Sequence, residues 1–202
     1  MEKPAFWNHN AAYYPWVRRQ LARSAAKHIL DVGCGEGSLA RYLASPGRQV
    51  LGIDPFAAAI DEARSKGGEG AGVTFLCAAF EDFETLPGSL DGIVFAASLH
   101  HMAPEGAIRK AKKLLKPGGL LLIVGLAAPS GPADWILEAL RVLPARLGTA
   151  LHRARSSEAL GLPASYEFPP MAEVRALIRR ELPGAKLRCG LYYRWLLRWT
   201  KP

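Results

Sequence analysis

Cysteine is scarce in this chain: three among 202 residues, at positions 34, 77 and 189, with no CxxC spacing. Three cysteines cannot all pair, which excludes a disulfide scaffold and a cysteine-based zinc site. His, Asp and Glu show no metal-ligand spacing either. No glycine cluster runs into Gly-Lys-Ser/Thr, so a phosphate-binding loop of that type is absent. The longest apolar run, Gly118 to Ala128, is far too short to span a bilayer. The first residues, Met1 to Trp7, lack the apolar core of a signal peptide, and the expected location is the cytoplasm. Acidic residues are few in the second half. Residues 103–202 hold 17 Lys and Arg against 7 Asp and Glu, while residues 1–102 hold 9 against 11. Such asymmetry can mark an anionic-partner surface. However, Arg109, Lys110, Lys112, Lys113, Lys116, Arg175, Arg179 and Arg180 fall on amphipathic helix patterns, as on a solvated face.

With 50% hydrophobic residues, the length suits one α/β domain, residues 1–202, carrying a small addition. Strand and helix patterns alternate. Strands are expected at 28–33, 49–54, 73–77, 91–96 and 120–126. Helices are expected at 38–43, 57–65 and 104–115, with a turn at 117–119. The alternation predicts a doubly wound, mostly parallel sheet with helices on both faces. Residues 1–26, with helical spacing from Tyr13 to Ser24, read as a lid over the ligand side. Residues 129–170, containing a helical stretch from Trp135 to Leu140, read as an insertion that shapes a pocket. A helix at 171–182 and two closing strands, 186–190 and 192–199, complete the chain.

The most informative run is His28 to Ser38. A short apolar strand ends in an acid, Asp31, and Gly33, Gly35 and Gly37 then lead into a helix. Glycines there permit a tight turn and let backbone N–H groups face a ligand. A nicotinamide fingerprint has the spacing G-x-G-x-x-G and needs no acid before it. The pattern Asp31-x-Gly33-x-Gly35-x-Gly37 instead resembles the first motif of class I S-adenosylmethionine-dependent methyltransferases, specifically their small-molecule, type 11-like domain. The resemblance covers residues 28–128 by motif and 171–200 by pattern. It implies a Rossmann-like seven-stranded sheet and S-adenosylmethionine as cofactor, with S-adenosylhomocysteine as product.

In that reading Asp31 offers acceptors to the methionine ammonium, and Gly33, Cys34 and Gly35 form the turn against the methionine part. Cys34 reads as a small packed residue. Asp54, with Pro55 after it, closes the second strand about twenty residues on, where a carboxylate accepts ribose hydroxyls. The family usually places an Asp after the third strand to hold the adenine amino group. Ala79 stands there instead, leaving Glu81, Asp82 or the backbone of Phe80 for that task. Backbone at Ala96, Ala97 and Ser98 would lie beside the cofactor. Tyr13, in an aromatic N-terminal cluster, has a hydroxyl that could donate to the methionine carboxylate.

Methyl transfer needs alignment, exclusion of water and, for a hydroxyl or acidic carbon, a base. His100 is the first candidate for that base and His101 the second. Trp135, Tyr166 and the N-terminal aromatics suggest a small planar or apolar acceptor, methylated on O, N or C. Alternatives are an RNA or protein methyltransferase using the basic half, a cofactor-binding fold without transfer activity, and a nucleotide-dependent oxidoreductase. The motif Asn/Asp-Pro-Pro-aromatic after the fourth strand, which many base-N-methylating enzymes carry, is replaced here by Ala96 to His100.

Overall fold

A computed structural model describes residues 10–68, 70–126, 168–190 and 194–202. Most of the expected insertion, including its Trp135–Leu140 helix and Tyr166, lies outside the described residues, as do Trp7 to His9. The strands are β1 (His28–Val32), β2 (Gln49–Asp54), β3 (Val73–Cys77), β4 (Leu90–Ala96), β5 (Leu115–Leu126), β6 (Lys186–Cys189) and β7 (Arg194–Thr200). The helices are α1 (Tyr14–Arg23), α2 (Ser38–Leu43), α3 (Ala57–Ser65), α4 (Pro104–Leu114) and α5 (Met171–Glu181). Single 3-10 turns at Ala11–Tyr13 and Leu99–His101 flank the ligand side.

One seven-stranded sheet runs in the order β3-β2-β1-β4-β5-β7-β6. β1 to β5 are parallel neighbours, and β7 pairs antiparallel with both β5 and β6. Strand order reverses on either side of β1 and β4. In open α/β sheets the crevice beyond the carboxyl ends at such a point receives ligands.

The period of two in each strand divides the core. Ile29 and Val94 face a cluster with Val17, Leu21, Leu39, Leu43 and Ile60 from α1, α2 and α3. Leu30, Ile93 and Phe95 face the opposite cluster, with Ile108, Leu114, Val174 and Ile178 from α4 and α5. Burial on both faces explains the unbroken apolar run Leu120–Val124. Asp31 shares the face of Ile29, under α1 and α2, so its carboxylate is enclosed and only 1% exposed.

Two expectations are corrected. The turn at 117–119 is an excursion inside β5, because Leu115 already pairs with Leu90 before the register shifts to Gly92 and Leu120. The Gly118 N–H then donates to the Lys201 carbonyl. Among the described residues the closing strand runs over Arg194–Thr200, one residue past its expected end, held by seven register pairs against β5, while the expected positions 192 and 193 lie outside the described residues. At the amino-terminal edge Asp91 accepts from the Lys27 and His28 amides at 3.0 and 2.8 Å, and from Lys116 Nζ at 2.6 Å. These donors hold its carboxyl below the usual range despite partial burial.

Candidate active site

The glycine turn is built by sterics and one buried ion cluster. Gly33 has φ +70°, and a Cβ there would lie 2.4 Å from the Ser98 Cβ. Gly37 starts α2 at φ +79°, and a Cβ there would lie 2.4 Å from the Phe75 ring. Both positions therefore demand glycine twice over, by backbone conformation and by lack of space. Between Gly35 and Gly37, Glu36 is buried and accepts from Arg41 at 2.9 Å and Lys66 at 3.0 Å. Arg41 also donates to the Glu36 carbonyl and, from its other nitrogen, to the Ala63 carbonyl. The turn is thereby fastened to α2 and α3.

The turn meets the end of β2. The Gly33 and Cys34 amides donate to the Ile53 carbonyl. Asp54 accepts from the Gly35 amide on one oxygen at 2.9 Å and from the Phe56 amide on the other at 3.0 Å. Each oxygen keeps a further acceptor position. Beyond Gly35, φ +53°, nothing approaches within 4 Å of where a side chain would begin, so the turn opens onto free space. Cys34 packs its sulfur against Gly52, and burial pushes its thiol far up, away from a thiolate.

Asp31 is the electrostatic anomaly. Neither carboxylate oxygen has a hydrogen-bond partner in the structure, although both are buried. Burial raises its pKa to about 7, with Asp54 and Glu36 adding negative field and the Ala40 amide pulling weakly the other way. Tyr14 lies in the same field, and its hydroxyl is pushed up by burial, Asp31 and Glu36. An unpartnered buried acid among acidic neighbours is costly unless a cation completes it.

Beyond β4, Ala97 takes a left-handed conformation, φ +60°, with its amide on the Val124 carbonyl. Ser98 follows, buried, its hydroxyl donating to the Val32 carbonyl at 2.5 Å. The 3-10 turn then carries both histidines. His100 Nδ1 is buried without a partner, and the ring stands edge-on to Phe168 at 5.3 Å. Burial, with His101 and Arg194 nearby, lowers its pKa to about 4. His101 lies 4.0 Å from His100 between ring centroids and is exposed. Partial desolvation beside His100 lowers its pKa too, opposed by the field of Asp54. The field of Asp54 thus reaches His101, and that of Arg194 reaches His100.

The two tyrosines of the N-terminal pair diverge. A Cβ on Gly190 would meet the Tyr13 hydroxyl at 2.5 Å, so Tyr13 sits over the β6–β7 side, next to Arg194. Tyr14 turns towards Asp31. Arg194, at the first residue of β7, donates through two nitrogens to Asn10 Oδ1 at 3.0 and 2.7 Å. Sequence reasoning missed Tyr14, Arg194 and Asn10. Helical phase separates the tyrosines only once α1 is placed, and Arg194 reaches this edge only through the β5–β7 register. It also missed Phe56, whose ring is 46% exposed beside Asp54. Phe80 buries its ring against Phe95 in the core, while Glu81 is exposed and its carbonyl accepts from Lys110. Ala79 begins a turn, accepting from the Asp82 and Phe83 amides.

Residues 30–123 match the methyltransferase-domain family. An uncharacterized methyltransferase of Mycobacterium tuberculosis is 29% identical over the whole of both chains. A ubiquinone biosynthesis O-methyltransferase of Chromobacterium violaceum is 39% identical over 101 residues, which is 48% of this chain and 44% of that one. The present chain thus matches less than half the length of that relative. The crystal structure of a magnesium protoporphyrin IX methyltransferase from Synechocystis, with S-adenosylhomocysteine bound, superposes with a TM-score of 0.64 at 19% identity. That superposition covers 96% of this chain and 84% of the other.

Proposed function

We propose that this chain is a class I S-adenosylmethionine-dependent methyltransferase that transfers the methyl group to a small, planar or apolar acceptor through a hydroxyl or similar protonated nucleophile, a reading supported by the family match over residues 30–123 and by the fold. The carrying observation is Asp31, buried with both oxygens unpartnered near the end of β1, just before the glycine turn that opens at Gly35. The methionine ammonium is the cation that would complete this carboxylate, and Asp54 has one acceptor position per oxygen left for the ribose hydroxyls. When bound, the cofactor supplies an electrophilic methyl on a sulfonium.

The chain's own residues supply the rest. The backbone of Gly33 to Gly35 lets the ligand approach without side chains between. Phe56, tied through its amide to Asp54, offers a flat apolar face where the usual adenine-binding acid is Ala79. His100 is neutral across ordinary pH and presents an acceptor nitrogen to a hydroxyl proton. Phe168 and Tyr13 exclude water on the acceptor side. A small acceptor is favoured over a polyanion because, among the described residues, five basic side chains of the second half are already engaged. Arg109 and Arg180 pair with Glu105 and Glu181, Lys112 with the Glu181 carbonyl, Lys110 with the Glu81 carbonyl and Lys116 with Asp91.

The first test is calorimetric titration with S-adenosylhomocysteine, using NAD as control. Micromolar binding of the first and none of the second is expected, and the reverse overturns the cofactor class. Asp54→Ala should then weaken that binding by about 1.5–3 kcal/mol, through lost charged hydrogen bonds and a loosened Gly35 amide. Unchanged affinity removes Asp54 from the ribose. Among the described residues no helix is long and apolar enough to cross a membrane.

A further inference from the structure

Ser98 is buried, and its contacts join the two halves of the candidate site. Its hydroxyl donates to the carbonyl of Val32, the last residue of β1. Its Cβ occupies the space that a side chain on Gly33 would need. Its own carbonyl accepts from the His101 amide, closing the 3-10 turn that carries both histidines. The residue before it, Ala97, is held at φ +60° with its N–H donating to the Val124 carbonyl, a conformation that a β-carbon makes unfavourable. A strained alanine followed by a buried hydroxyl fixes the path of the chain out of β4 against the path out of β1.

We propose that Ser98 is a positioning residue that sets the histidine turn in register with the glycine turn. The reading rests on the assignment of those two turns to cofactor and acceptor given above. Its physical basis is one short, buried hydrogen bond between the carboxyl ends of neighbouring strands, placed two residues before His100. Without it, Ala97 can relax towards the ordinary region, and the 3-10 turn is free to swing outward. His100 would then lose its packing on Phe168 and gain water.

The test uses the whole chain without cofactor or acceptor, so it stands apart from any failure of the methyltransferase reading. Ser98→Ala is compared with wild type by NMR titration of the histidine Hε1 resonances. A core variant on the other face, Ile60→Val, serves as a stability control. In Ser98→Ala the His100 midpoint should move upward by at least one pH unit towards that of a solvated imidazole. Ile60→Val should leave it in place for a comparable loss in melting temperature. Ser98→Cys, with a weak donor of similar shape, should fall between and carries the test if the alanine variant does not fold. Histidine midpoints unchanged in every folded Ser98 variant overturn the proposal and leave Ser98 as an ordinary core hydrogen bond.

Discussion

Asp31→Asn is expected to weaken S-adenosylhomocysteine binding by about a hundredfold at neutral pH, the loss of a buried charge pair. It is also expected to make the ligand-free protein more stable. Both follow from one carboxyl. In the folded apoprotein its pKa is about 7, and the ordinary value is 3.8. The unfolded chain therefore releases this proton first as pH rises. Folding stability is fully retained below about 4 and falls through the interval up to about 7, by a few kcal/mol at most. Asparagine keeps the shape and abolishes the titration, so its melting temperature should exceed that of wild type at pH 7.5 and converge with it near pH 4. A ligand ammonium reverses the preference and draws Asp31 into its charged form. Wild-type affinity should then climb as pH rises from 5 to 7, and binding at pH 6 should release close to one proton. Calorimetry in buffers of different ionisation enthalpy reads that proton directly. Asp31→Asn with unchanged affinity and no change in proton release would mean that the cation sits elsewhere.

The trade between stability and binding explains why part of this site was legible in the sequence and part was not. The acids at the ends of β1 and β2 stand out because carboxylates rarely close buried strands, and the glycines stand out because φ and space both demand them. The sheet was legible for the same reason: strands buried on both faces read as unbroken apolar runs. What escaped depends on distances across the chain. Whether Tyr13 or Tyr14 faces Asp31 is a matter of helical phase relative to β1, and the chain local to the pair carries no sign of it. Arg194 is 94 residues from His100 and comes near it only through an antiparallel register. Glu36, between two glycines, carries no local sign of its role, and it is the acid that Arg41 and Lys66 use to hold the turn. The Pro117-Gly118-Gly119 stretch carries strong turn chemistry, yet pairing of Leu115 with Leu90 draws it into β5. In each case tertiary contact decided between local options that the residues themselves left open.

Removing the imidazole should act on turnover and leave the cofactor side alone. His100→Ala is expected to lower kcat about a hundredfold for an acceptor found by screening small phenols and amines, with S-adenosylhomocysteine affinity kept within about threefold. Burial, His101 and Arg194 all disfavour the imidazolium, and the pKa of about 4 makes His100 a weak base in the resting site. In the proposed reaction its role would be to accept a hydrogen bond from the acceptor hydroxyl and to take the proton late, once the hydroxyl has become more acidic. Two pH signatures follow. Wild-type kcat should stay flat from about pH 8 down to about pH 5, since the acceptor nitrogen is unprotonated throughout. In His100→Ala the residual rate should rise with pH, because only acceptors already ionised in solution can react. Folding stability carries the mirror image of the Asp31 case: the unfolded chain takes up the histidine proton first, so stability falls as pH drops from 6.5 towards 4. His100→Ala should remove that loss. A variant that turns over at the wild-type rate, yet shows the flattened acid limb of stability, would assign His100 to packing against Phe168 and leave proton removal to the acceptor's own ionisation.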